Sequence, residues 1–561
     1  MTKGEEMKQT VERPSGTKIH RRNNKEYVYA TLKKVYDPEK KYNVDKRMCI
    51  GIMTDEKMMI PNDSYYELYP EQRKLDDPPV RSDSLSVGMF ILLSKIMEDL
   101  QLSFLLDEVY GKDAAVFKDV VSYMIIEENS SIQHYENYSF FHPSFTDRLI
   151  SDSCISSVFH RNLISAHDLF LDKWNSLHCD KKSIYISYDS TNMNSAASGI
   201  SLLEYGYSKK KVDLPQLNVS LGFDQNDLIP LFYETYPGSI IDKKQCEFMI
   251  DKAVSYGYKE IGFILDRGYF SRENIDYLDE KGYDYIMMAM ADQEMVKSAL
   301  EECRYKLREK SEYYLSDFDV QGMSAQFRLP SRKGGAFVHV YYNEANAVNL
   351  KRSLKLKFIK CEERLNRLIE NKTAMKTDSD QYKKYYTLSY HEGYLTGYKR
   401  KTDLIDQRIN SCGYFIIITS REMTAYEALD AYCHRDSTEK LFMMDKTFLD
   451  ADALRTHHDE SSESKIMANF LALILRNHIF KKTKDLRKLN NSDYTTPAII
   501  RQMEKMIITK DPKGHYVLRY QLNKKQKEIL KMFDISESRF RKLAEELCER
   551  YSKKDKETDV H

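Results

Sequence analysis

Short apolar runs rich in β-branched residues alternate with segments of helical period along the middle of this chain, and their spacing sets out the elements in order. Ser183–Asp189, Gln216–Gly222 and Leu228–Tyr233 read as three strands in succession. A helical pattern over Lys243–Tyr256 follows, then a strand at Glu260–Asp266, a helix over Ser271–Glu280 and a strand at Tyr283–Met288. After an interruption at residues 290–411, the apolar run Gly413–Thr419 precedes a helical pattern from Thr424 to Lys446.

Three strands ahead of the first helix imply an antiparallel meander joined to a parallel part, the strand order of a ribonuclease-H-like core. The flanks follow other rules. Tyr27–Leu32 and Arg47–Ile52 around a turn at Asp37–Lys41 predict a small antiparallel β unit, and residues 61–83, with Pro61, Pro70, Pro78 and Pro79, a linker. Ser84–Leu177 is helical in period and ends near Trp174, a packing residue by expectation. The interruption contains a hairpin, Ser324–Leu329 with Ala336–Tyr342, and then Leu350–Asn371 and much of Gln381–Asn410 as helix. Ile466–Phe480 reads as a buried core helix. Asn523–Phe533 and Glu537–Arg550, around a turn at Asp534–Ser536, read as a helix-turn-helix or a plain helical hairpin.

The expected architecture is therefore α/β: a ribonuclease-H-like mixed sheet core with a β/α insertion domain, N-terminal β and helical domains, and a helical C-terminal region. The segments are 1–83 (β unit and linker), 84–180 (helical, a candidate for DNA binding), 181–289 (first part of the core), 290–411 (insertion), 412–480 (second part of the core) and 481–561 (basic and helical).

Charge changes the picture only locally. Lys plus Arg and Asp plus Glu both number 86, so the global balance points to no nucleic acid. Residues 476–531, however, hold 15 Lys/Arg against 5 Asp/Glu, and residues 1–50 hold 13 against 7. Screening limits a field to about 8–10 Å, so such segments can follow a phosphate backbone on a neutral chain. The nine cysteines include no Cys-x-x-Cys pair, which argues against a zinc ribbon and for reduced thiols in the cytoplasm. No stretch approaches the roughly 18 apolar residues of a membrane span, so no membrane partner is expected.

The candidate chemistry lies on the predicted helix after Gly413–Thr419. Tyr432, Arg435, Glu439 and Lys446 are spaced by three, four and seven, which places them within an arc of about 60° on one side of a helix. Glu439 joins two aspartates, Asp189 and Asp266, each read at the carboxyl end of a strand. Taken singly, such an Asp is more often a turn or cap residue, and Arg435 with Glu439 could be an ordinary surface pair. Together, three carboxylates at a sheet edge without His or Cys favour hard cations, two Mg²⁺ or Mn²⁺, which serve in-line displacement at a phosphodiester.

Tyr188-Asp189-Ser-Thr191, Leu265-Asp266-Arg-Gly-Tyr-Phe-Ser271 and the Tyr-x2-Arg-x3-Glu-x6-Lys pattern resemble the DDE transposases of bacterial insertion sequences, in the YREK-signature branch with an insertion before the catalytic Glu. The resemblance covers roughly residues 180–480. It implies catalysis and metal binding at Asp189, Asp266 and Glu439, and contacts to the transposon end from Tyr432, Arg435 and Lys446. It further implies a β-rich insertion, double-stranded DNA (transposon ends and target) as partner, a homodimeric synaptic complex, and cleavage followed by strand transfer. Two other outcomes share the motifs: a metal-dependent nuclease on the same fold, and a domesticated DNA-binding protein without activity.

Overall fold

The computed structural model describes residues 10–558 apart from 23–24, 39–40, 73–80, 147, 179–183, 207–213, 241, 259, 292, 332–334, 372–379, 435–452, 485 and 487–493. It divides into two compact units, Met1–Val80 and Arg81–His561.

In the first unit β1 (Val11–Glu12), β2 (Lys18–Arg22), β3 (Lys25–Asp37), β4 (Tyr42–Met53) and β5 (Met58–Pro61) form an antiparallel sheet in the order β1-β5-β4-β3-β2. The segment expected as a linker is helical at its start, in α1 (Asp63–Leu68). Asn62 explains the difference: its side chain accepts the Tyr65 N–H at 3.1 Å and caps the helix. Tyr65 is then fully buried beside Val28, Ile50 and Met59, a gain of roughly 2 kcal/mol that the proline count conceals.

The second unit opens with β6 (Ser84–Ser86) and six helices, α2 (Gly88–Asp99), α3 (Leu102–Tyr110), α4 (Ala114–Ile126), α5 (Tyr135–Phe141), α6 (Asp152–Phe159) and α7 (Ile164–Ser176). Trp174 is buried, and its indole N–H donates to the Pro230 carbonyl at 2.9 Å. The main sheet follows: β7 (Ile184–Asn194), β8 (Gln216–Asp224), β9 (Ile229–Pro237), α8 (Asp242–Ser255), β10 (Ile261–Leu265), α9 (Arg272–Lys281) and β11 (Asp284–Met290). Within it β9-β8-β7 is an antiparallel meander, and β10 and β11 run parallel to β7, which is the ribonuclease-H-like arrangement. Every residue of β8 is buried, as a strand covered on both faces requires.

Next come α10 (Lys297–Glu309), β12 (Tyr314–Leu315), β13 (Val320–Leu329) and β14 (Ala336–Tyr342). The hairpin read as part of the interruption extends the main sheet. β14 pairs with β17 (Tyr414–Thr419), and the nine-stranded order is β12-β13-β14-β17-β11-β10-β7-β8-β9. Between β14 and β17 lie α11 (Glu344–Glu370), α12 (Asp380–Lys383), β15 (Tyr386–His391), β16 (Tyr394–Arg400) and α13 (Thr402–Asn410), with a core of their own around Phe358, Leu365, Tyr386 and Leu395. Residues 386–400 are thus a hairpin where helix was expected. Glu392 and Gly393 both have positive φ, at 50° and 83°, and this two-residue turn matches the twist of the paired strands.

β17 (Tyr414–Thr419) leads to a helix over residues 425–434, α14, and α15 (Asp459–Lys482) crosses the core. α15 is buried nearly all round, from Ile466 and Met467 to Leu475 and Ile479, as its mostly apolar sequence predicted, and Arg476 and Asn477 are buried with it. The C-terminal region is not purely helical. β18 (Ile507–Lys510) pairs with both β19 (Tyr516–Leu518) and β6, so a three-stranded sheet ties residues 507–518 to residues 84–86. Two helices close the chain, Lys524–Met532, with an Asn523–Gln526 capping box, and Glu537–Thr558. Among the described residues no helix is long and apolar enough to cross a membrane.

Candidate active site at the carboxyl edge of the parallel strands

β7 and β10 pair in parallel through Leu265 opposite Tyr188. Carrying that register one residue further sets position 189 beside position 266, so the two aspartates occupy neighbouring places where the parallel pairing ends. The strand of Asp189 does not stop there, as expected from sequence, but runs on to Asn194. Its other edge sustains it: β8 pairs with β7 from Ile186–Asp224 to Asn194–Gln216, with Asp189 opposite Leu221.

β10 does stop. Asp266 caps a short 3₁₀ turn, Arg267–Tyr269, and its Oδ1 accepts the Arg267 N–H at 2.6 Å. Side chains along β10 alternate: Phe263 and Leu265 enter the large core, while Ile264 enters the smaller cluster on the opposite face. Asp266 follows Leu265 and so takes the face of Ile264, where α14 packs. The turn is held from β7 as well, since the rings of Tyr188 and Tyr269 meet edge to face at 4.9 Å and the Tyr188 hydroxyl donates to Ser220 Oγ at 2.6 Å.

α14 starts at a reciprocal capping box. The Thr424 N–H donates to Glu427 Oε2 at 2.8 Å, and the Glu427 N–H donates to Thr424 Oγ1 at 3.2 Å. Ala425, Ala428, Leu429 and Tyr432 then form one buried stripe against Ile264, Ile286 and Ile417. Tyr432 is 4 % exposed, and its hydroxyl donates to Asp266 Oδ1 at 3.4 Å. The apolar period of the helix places the Tyr432 ring in that stripe and leaves its hydroxyl at Asp266. A further tie went unforeseen. Gln225 receives the Ser187 hydroxyl and donates to the Ala431 carbonyl at 2.7 Å, joining β7 to α14. Only its place just after an all-buried strand could have marked it.

Arg435, Glu439 and Lys446 lie outside the described residues. Of the acidic set, the structure describes Asp266 and the backbone position of Asp189, and among the described residues no cluster of three His, Cys, Asp or Glu is gathered for a metal. Carboxylate oxygen, the donor type these residues carry, is what Mg²⁺ or Mn²⁺ accepts.

Comparison with known proteins adds the family. No curated protein matches the sequence. Among solved structures, the piggyBac transposase synaptic complex with hairpin DNA is 9% identical with a TM-score of 0.36, over 70% of this chain and 69% of that one. The Mos1 mariner paired end complex with Mn is 12% identical with a TM-score of 0.14, over 40% and 65%. Those scores are low, and the fold assignment rests on the strand order above. The family model described as "Transposase DDE domain" matches residues 181–475, from the approach to β7 into α15. Spanning more than half of the 561 residues and both aspartate-bearing strands, that match shows that the chain belongs to the DDE-domain transposases.

Proposed function

We propose that this chain is an active transposase of the YREK-signature branch of bacterial insertion sequences, which cleaves at the ends of its element and joins the freed 3′-hydroxyls to target DNA. The observation that carries the reading is the parallel register of β7 and β10, which brings Asp189 and Asp266 to neighbouring positions at one sheet edge. With Glu439 they would hold two divalent cations, Mg²⁺ or Mn²⁺, which when bound supply an activated oxygen nucleophile and a stabilised leaving oxygen. The chain's own residues position. Arg267 N–H and the Tyr432 hydroxyl orient the Asp266 carboxylate. Arg435, with its planar fork, and Lys446, as a point charge, grip phosphates of the transferred strand. Double-stranded DNA is the substrate, two copies of the chain pair the ends, and the setting is the bacterial cytoplasm.

Cleavage of duplex carrying the element's end tests the assignment. Asp189→Asn and Asp266→Asn should each abolish Mg²⁺-dependent cleavage while leaving binding largely intact, since the carboxylates serve chemistry more than grip. Near-full cleavage by either variant removes that residue from the site.

A further inference from the structure

Beyond α15, the C-terminal region carries three helices: α16 (Thr496–Met503), α17 (Lys524–Met532) and α18 (Glu537–Thr558). The turn Phe533–Ser536 joins the last two. Asp534 takes the left-handed region at φ +57°, the Asp534 N–H donates to the Lys531 carbonyl at 3.2 Å, and the Ile535 N–H donates to the Leu530 carbonyl at 3.0 Å. This is a Schellman motif, which ends α17 and turns the chain sharply away from its axis. Ser536 then caps α18, its Oγ accepting the Arg539 N–H at 3.1 Å. The two helices do not lie side by side, as those of a helical hairpin would: α17 packs on α16, and α18 packs on β19 and α2. Ile529, Phe533, Ile535 and Phe540 are all buried and fill the corner between them. Two splayed helices joined by a short turn over an apolar corner make a helix-turn-helix.

Its outer side is cationic. On α17, Lys524, Lys527 and Lys531 are exposed at helical spacing, and Lys527 pairs with Glu537 at 2.8 Å. On α18, Ser538, Arg539, Arg541 and Lys542 are exposed in the first two turns, and the exposed acids Glu545, Glu546 and Glu549 come only after them. That order runs against the helix dipole, which favours acid at the start of a helix and base at its end. An anionic partner at the front of α18 accounts for it. Glu537, the acid of the first turn, is taken up by Lys527 and by Arg541 at 2.8 Å, the latter an exposed pair that opens at little cost. The rear of α18 is anchored: the Ser144 N–H donates to the Tyr551 hydroxyl and the Tyr516 N–H to Ser552 Oγ, both at 2.9 Å. The front turns are therefore presented on a fixed base.

We propose that α17 and α18 read double-stranded DNA, with the first two turns of α18 in the major groove, which at about 12 Å wide admits one helix. Ser538, Arg541 and Lys542 reach base edges there, and the planar fork of Arg541 suits the paired acceptors of guanine. Lys524 and Lys531 of α17 hold phosphates at the rim of the groove. Duplex as the ligand stands on this geometry, and the placing of the sequence in the ends of the element rests on the transposase reading.

The test uses the full chain in EDTA, labelled duplexes that tile the DNA on either side of its gene, and a random-sequence duplex of equal length. One flanking duplex should bind more tightly than the random one. Arg541→Ala and Lys542→Ala, both at exposed positions, should each weaken binding to that duplex about tenfold and change binding to the random duplex far less. Lys531→Ala should weaken both alike and flatten the log–log salt dependence by about one unit. Equal losses on both duplexes from Arg541→Ala and Lys542→Ala overturn base reading, and unchanged binding in all three variants overturns the surface altogether. Should no flanking duplex be preferred, selection from a random pool replaces it. A sequence found that way, sensitive to Arg541→Ala, upholds the helix-turn-helix and removes the element's ends as its target, whereas a selection that yields no preferred sequence overturns the proposal. Specific binding by a chain whose cleavage survives Asp189→Asn sinks the active-site assignment and leaves this one standing.

Discussion

At the end of β10 the Asp266 carboxylate takes one donor from its own turn and another from a neighbouring helix, and the second of these is the adjustable one. The Arg267 N–H belongs to the backbone and survives any side-chain change, but the Tyr432 hydroxyl can be deleted without emptying its pocket. Tyr432→Phe keeps the ring in the stripe of Ala425, Ala428 and Leu429 and removes only the oxygen. Fold stability should change by about 1 kcal/mol or less. Cleavage should fall several-fold and require more Mg²⁺ for half-maximal rate, because a carboxylate free to rotate holds its cation less well. An unchanged Mg²⁺ midpoint would show that Tyr432 serves packing alone.

Among the elements, α14 is where packing and chemistry are most tightly linked. It hangs on β17 by the short connection 420–424, starts at the Thr424–Glu427 capping box and reaches Asp266 only two turns later. Thr424→Ala removes the acceptor for the Glu427 N–H and should cost roughly 1 kcal/mol. Hydrogen exchange offers a local readout: amides of the first turn should lose protection while those of β17 keep theirs. Equal loss in both would mean that α14 and the sheet open as one unit and that the cap has no separate role.

For the molecule as a whole, acid is the informative stress. Burial holds the imidazoles of His167, His339 and His478 down at about 4, and the Lys482 charge adds to the effect at His478. Each would titrate near 6.5 in the unfolded chain. Between those values the unfolded chain binds protons that the folded one refuses, so stability present above about pH 6.5 is lost as the pH falls toward 4. Asp119 opposes them. Burial lifts its carboxyl to about 6 against the hydrogen bonds from Thr146 and Phe145, so the folded chain keeps a proton there that the unfolded one releases. Burial raises the Glu463 carboxyl in the same sense, and the three imidazoles outweigh the two carboxyls. The urea midpoint should drop between pH 6.5 and 5, and a flat or rising midpoint would count against this balance.

Period and turn chemistry settled much of this protein locally. The alternation at Gln216–Gly222 and the apolar run at Gly413–Thr419 marked strands, and the mostly apolar Ile466–Phe480, in spite of Asn469 and Arg476–His478, marked an inner helix. The two aspartates were legible for the same reason, each following a run of strand period. Decisions that depend on distant partners were not. Whether β7 ends at Asp189 or continues to Asn194 is set by β8, and whether β13 and β14 stand apart or extend the sheet is set by β17, more than 70 residues on. Residues 386–400 lie between the helical stretches of α11 and α13 and read with them, until the Glu392-Gly393 turn folds them back into a hairpin. Tyr432 is the clearest case. Its spacing from Arg435 and Glu439 and its spacing from Ala425 and Leu429 are both helical, so either face could claim it. The core claimed the ring because burying it costs no polar group: the one oxygen it carries ends on Asp266.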